Sequence, residues 1–182
     1  MSSKKSTDYL VWMDMEMTGL DLATESILEM ATIITDSDLN IIEEGPCLVI
    51  HQSKTLLRKM DAWNTRHHTH SGLVIESTNS KISLRQAEKM TLDFLKKYCS
   101  PKKSPLCGSG IHHDRRFLIK YMPKIDAFLD YRLIDVSSIK ALVRRWYPKS
   151  EEGPARANSH RARPDVLESI EELRFFRKTF FK

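Results

Sequence analysis

Asp14 and Glu16 stand one residue apart where the apolar run Leu10-Val11-Trp12-Met13 ends. Side chains two positions apart on a strand project from the same face, so both carboxylates leave one side of a segment otherwise suited to burial. Unpaired acids there are costly to desolvate, and a divalent cation is the simplest compensation. An ordinary strand end with two solvated acids is the alternative. Two further acids carry the same ambiguity. Asp114 falls at the expected start of a helix, where the dipole favours a carboxylate whether or not it binds anything. Asp165 follows Pro164, a residue suited to a first helical turn, and could be only an N-terminal helix acid. His160, five residues before Asp165, would bring an imidazole beside that acid at the end of an irregular segment. Together Asp14, Glu16, Asp114 and Asp165 carry a formal charge of −4, which two divalent ions would balance. Hard oxygen donors suit magnesium or manganese. Such a pair suits phosphodiester hydrolysis, one ion lowering the pKa of the attacking water and the other stabilising the leaving oxygen. An imidazole, which titrates near neutral pH, could take the water's proton.

The elements that must position these groups can be read from periodicity. The β-branched and apolar stretches at 10–15, 27–35 and 39–50 predict a three-stranded meander, turned between the last two by Asp36-Ser37-Asp38. Ser83 and Gln86 form a capping-box pattern ahead of Leu84, Ala87, Thr91, Leu95 and Tyr98 at helical spacing. A short buried strand is expected at 104–109, a helix at 114–122 that Pro123 stops, a strand near 129–136, and a helix through Trp146 that Pro148 ends. The stretch 148–160 predicts a mobile surface loop, and a last helix begins near Pro164. His67, His68 and His70 are expected in a polar loop, and His112 and His113 in the turn before a helix. Strands followed by alternating helices and strands indicate an α/β sheet of mixed direction, in which reactive groups gather at strand ends.

Composition sets the frame. A chain of 182 residues, 41% apolar and 29% charged, suits one soluble domain over 1–182, with residues 1–9 as a loose tail. The 29 Lys and Arg against 24 Asp and Glu give a net charge of +5, which favours an anionic partner. Cys47, Cys99 and Cys107 form no C-x-x-C pair, which suggests neither a disulfide framework nor a structural zinc site and fits a reducing compartment. No apolar stretch suits a signal peptide or a membrane span, so a cytoplasmic protein is expected, with an organelle such as the mitochondrion as the alternative.

Six stretches, W-M-D-M-E-M-T-G-L-D at 12–21, I-L-E-M-A at 27–31, W-N-T-R-H-H at 63–68, H-D-R-R-F-L at 113–118, Y-R-L-I-D-V-S-S at 131–138 and S-H-R-A-R-P-D at 159–165, together resemble the oligoribonucleases of the DEDDh exonuclease superfamily. The resemblance implies a ribonuclease H-like fold, a mixed five-stranded sheet flanked by helices. It implies that Asp14, Glu16, Asp114 and Asp165 hold two magnesium or manganese ions, with His160 as general base. By the same resemblance the substrate is a very short RNA with a 5′ phosphate, chiefly a dinucleotide, shortened from its 3′ end to 5′-mononucleotides. Leu20 would wedge between the two bases, Trp63 stack on one and His68 lie near the substrate. Arg132, Ser137 and Ser138 would close on the 5′ phosphate, and Tyr131 would come from the partner subunit of a homodimer. A general single-strand exonuclease and a non-catalytic binding module are the competing readings. Three positions in two segments depart from the family pattern: the common H-R-A-L-D-D becomes His160-Arg161-Ala162-Arg163-Pro164-Asp165, and Gly110 stands where a serine donor is frequent. Arg163 is expected either to repel the metals or to meet a phosphate, and Gly110 to weaken the phosphate cap.

Overall fold

The computed structural model describes residues 8–148, 153–155 and 160–181. The predicted meander is present as β1 (Leu10–Met17), β2 (Ile27–Thr35) and β3 (Ile41–Val49), paired antiparallel. Its second turn is tied by the Asp36 carboxylate, which accepts from the N–H groups of Asp38 at 2.9 Å and Asn40 at 2.8 Å. β3 forms one edge of the sheet, where Pro46 removes no donor that an inner pairing needs.

Between β3 and the predicted capped helix lie three short helices, α1 (Lys54–Leu57), α2 (Ala62–His70) and α3 (Leu73–Asn79). The polar loop expected around His67, His68 and His70 is thus corrected to helix. Asp61 starts α2 by accepting from the Asn64 N–H at 2.8 Å, and Gly72, at φ 78, turns the chain into α3. The capping box of Ser83 and Gln86 opens α4 (Leu84–Tyr98) as predicted. Then follow β4 (Leu106–Gly108), α5 (His112–Tyr121), α6 (Pro123–Phe128), β5 (Leu133–Asp135), α7 (Val136–Trp146) and α8 (Ala162–Phe180). His112 and His113 belong to the first turn of α5 and not to the turn before it. Pro123 does more than end α5. It opens α6, because the first helical position needs no N–H, and the strand expected at 129–136 is confined to three residues, since 129–132 are irregular. The loop expected at 148–160 and the tail at 1–9 fall largely outside the described residues.

The sheet order is β3-β2-β1-β4-β5, antiparallel across the meander and parallel from β1 through β4 to β5. Alternation along β1 divides the core. Val11, Met13 and Met15 pack with Leu95, Phe117 and Leu118 of α4 and α5, whereas Trp12 faces Val136, Val166 and Ile170 of α7 and α8. Asp14 and Glu16 continue the Trp12 face, the face that α8 covers.

Candidate active site

The period of two along β1 delivers Asp14 and Glu16 to the α8 side of the sheet, and burial of Val166 and Ile170 fixes Asp165 beside them. Carboxylate oxygens of Asp14, Glu16 and Asp165 lie within 4.8 Å of one another. Asp114, in the first turn of α5, is buried after β4, the neighbour of β1. Its carboxylate accepts from its own N–H and from that of Met15, and among the described residues its Oδ1 has no hydrogen-bond partner. The four predicted acids therefore converge from three elements.

Without a cation this arrangement favours protons. Burial, then the charges of Asp114, Glu16 and Asp165, hold the Asp14 carboxyl well above the usual carboxylate range. Burial, then Asp165 and Glu29, push Glu16 up to about 7 against the pull of Arg161. Burial raises Asp114 to about 8, opposed by its two backbone donors. The clustered hard oxygens of Asp14, Glu16 and Asp165, with the buried Asp114 carboxylate as a fourth acid, fit a divalent cation, which would displace those protons.

Other predicted residues lie on α2, in the loop after β1 and just before α8. His160 has a left-handed backbone, φ 48, and its ring packs against His67 at 4.4 Å and edge-on to Trp63 at 5.4 Å. Trp63 is 55% exposed on α2, and Leu20 is 53% exposed in the loop after β1. That loop is held by hydrogen bonds from Lys120 Nζ to the Leu22 carbonyl and from the Tyr121 hydroxyl to the Glu25 carbonyl. His68 is buried and does not face solvent. Its Nε2 lies 2.9 Å from the Met17 carbonyl, so that nitrogen carries the proton, and Nδ1 faces Glu16 at 3.8 Å. Burial lowers its pKa. His68 thus bears on a ligand through Glu16 and the end of β1.

The proposed phosphate residues lie around β5. Tyr131 is exposed, with the Arg132 guanidinium 4.5 Å from its ring centre and 3.3 Å from Asp130. Ser138 is exposed, but the Ser137 hydroxyl donates to Asp135 at 2.6 Å, and the Gly110 N–H donates to the same carboxylate oxygen at 3.0 Å. Burial raises the Asp135 carboxyl, yet these donors bring it below the ordinary range. Arg163 pairs with Glu44 of β3 at 2.7 Å, because the second residue of α8 points toward the edge strand. Pro164 occupies the first turn of that helix, where its missing N–H would have no intrahelical acceptor.

Sequence reasoning passed over Glu29 and Arg161. Glu29, opposite Glu16 across β1 and β2, is 1% exposed and 2.8 Å from Arg161. The signal was present in I-L-E-M-A, where an acid lies inside an apolar strand, the same feature that singled out Asp14.

The family model described as Exonuclease matches residues 11–173. An oligoribonuclease of Marinobacter nauticus is 54% identical over 175 residues, covering 96% of this chain and 97% of the relative. One of Vibrio cholerae is 51% identical over 177 residues, covering 97% and 98%. Among solved structures, E. coli exonuclease I in complex with a dA16 oligonucleotide superposes with a TM-score of 0.75 at 15% identity, over 95% of this chain and 41% of that one. Its complex with dT13 gives 0.73 at 15% identity, over 93% and 41%. At that identity the likeness is one of fold, and the mixed five-stranded sheet is ribonuclease H-like.

Proposed function

The chain belongs to the oligoribonuclease family of the DEDDh exonuclease superfamily and is a nuclease, and on that premise we propose that it removes nucleotides from the 3′ end of very short RNAs, chiefly dinucleotides, releasing 5′-mononucleotides. The observation that carries this reading is the convergence of carboxylate oxygens of Asp14, Glu16 and Asp165 within 4.8 Å of one another, in a chain that leaves Trp63 and Leu20 exposed. Two divalent ions, magnesium or manganese, held by Asp14, Glu16, Asp114 and Asp165 would supply Lewis-acid activation of the attacking water and of the leaving 3′ oxygen. His160 accepts the proton of the attacking water at a ring nitrogen as the new P–O bond forms and the bond to the 3′ oxygen breaks. Trp63 stacks on one base, an interaction of about 1 to 3 kcal/mol, and Leu20 separates it from the next. Arg132, Ser137 and Ser138 receive the 5′ phosphate, with Tyr131 supplied by the partner of a homodimer. A closed 5′ end of this kind sets the length limit. We place this activity in the cytoplasm.

Mononucleotide release from a 5′-phosphorylated dinucleotide, alone and in competition with a longer oligomer, tests the reading. Asp14→Ala is expected to abolish release, and the dinucleotide to outcompete the oligomer. Equal rates on both lengths would refute the length limit, and binding without release would favour a non-catalytic module.

A further inference from the structure

The last acid and the general base sit on either side of Arg161, which the proposed mechanism does not use. Arg161 is the N-cap of α8, but its side chain gives that helix no cap. The cap comes instead from β2, where Glu29 Oε2 accepts from the Ala162 N–H at 2.9 Å. The same buried carboxylate accepts from Arg161 Nε at 3.1 Å and from Nη2 at 2.8 Å. The other edge of the guanidinium reaches Glu76 of α3, at 2.7 Å from Nη2, and the Ser71 carbonyl, at 3.3 Å from Nη1. Arg161 thus joins β2, α3 and the link between α2 and α3 at one point.

That point controls two directions along the chain. One residue before it, His160 holds a left-handed backbone, which costs a side-chain-bearing residue about 1 to 2 kcal/mol and persists only where surrounding contacts impose it. One helical turn after it, the Asp165 N–H donates to the Arg161 carbonyl at 3.2 Å. Moreover Glu29 and Glu16 are cross-strand partners, so the anchor of α8 is tied to the strand that carries the first two acids.

We infer that Arg161, clamped by Glu29 and Glu76, is a positioning residue that aligns His160 and Asp165 with Asp14 and Glu16. The inference rests on the exonuclease reading above. A planar fork is needed to meet two carboxylates and a carbonyl at once, and an ammonium of the same charge cannot reproduce it. Removing an outer partner that orients the groups of a metal site commonly lowers activity about 10- to 100-fold.

The test compares wild type with R161K, E29Q and E76Q, each checked for folding by thermal melting. Turnover of a 5′-phosphorylated dinucleotide with magnesium is measured alongside the His160 ring signal in 1H–13C spectra of metal-free protein. In R161K and E29Q, kcat is expected to fall about 10- to 100-fold while KM stays within about threefold, and the His160 signal to shift or broaden while that of His51 does not. E76Q, whose carboxylate is 45% exposed, is expected to lose less. A folded R161K with wild-type kcat and an unmoved His160 signal would overturn the inference. R161K, which keeps the charge, decides the matter if E29Q does not fold. A wild-type protein that releases no mononucleotide defeats the exonuclease reading, whereas the His160 signal still decides the positioning.

Discussion

Each acid of the site was chosen by a different local rule, and burial is what they share. β1 carries Asp14 and Glu16 inward by alternation, α5 buries Asp114 in its first turn, and α8 presents Asp165 one turn after Arg161. The consequence is measurable without substrate. Glu16 is held at about 7 against an ordinary 4.5, and Asp114 at about 8. Between the unfolded and folded values the native state keeps a proton that the unfolded chain has released, so stability falls as pH rises. This penalty is absent below the unfolded pKa and complete above the folded one. Below about pH 6.5 the buried His68, whose pKa is lowered, works in the opposite direction, so the melting temperature of metal-stripped protein is expected to decline from about pH 6.5 to about pH 8, and magnesium to raise it more at the higher pH, where protons no longer compete for the same oxygens. Glu16→Gln, which cannot ionise, should flatten the decline. A melting temperature that rose across this range would contradict the assigned burial of these acids.

Elements deliver those side chains only if they approach closely enough. β4 lies beside β1, and a Cβ on Gly108 would sit 2.8 Å from the Met13 carbonyl oxygen and 2.8 Å from Ile111 Cδ1. The first contact is with backbone, so relief requires β4 to part from β1. Gly108→Ala is expected to destabilise the fold by about 1 to 3 kcal/mol, seen as a lower urea midpoint. It should also slow turnover, because the turn after β4 places Asp114. Unchanged stability together with unchanged turnover would show that β4 has room to move. Element boundaries also mark where local reading fell short. The capping box at Ser83 and the meander were legible because their signals lie within a few residues. α2 was missed because its residues form no apolar stripe, and its start depends on the Asp61 cap and on packing of its neighbours against Leu28, Leu57 and Leu73.

At the scale of the whole molecule, the proposed assembly adds a test that no single chain can supply. If Tyr131 serves the partner's site, mixing Asp14→Asn with Tyr131→Ala chains should restore turnover above the sum of the separate variants, since a mixed dimer contains one site with both residues intact. No recovery after subunit exchange would remove Tyr131 from the partner's site. The basic balance of +5 suits an anionic substrate, but charge alone could not say where it binds. The sequence by itself determined the chemistry on offer: four acids and a histidine in the family's order, on strands and helices whose periods and caps are local properties. Only the tertiary structure decided which charges share a space. Glu29 and Arg161 lie 132 residues apart yet meet, and Arg163 turns away from the acids to Glu44. Periodicity assigns a side chain to a face, whereas its partner depends on which strands pair and which helix covers them, and that is settled only when the whole sheet is assembled.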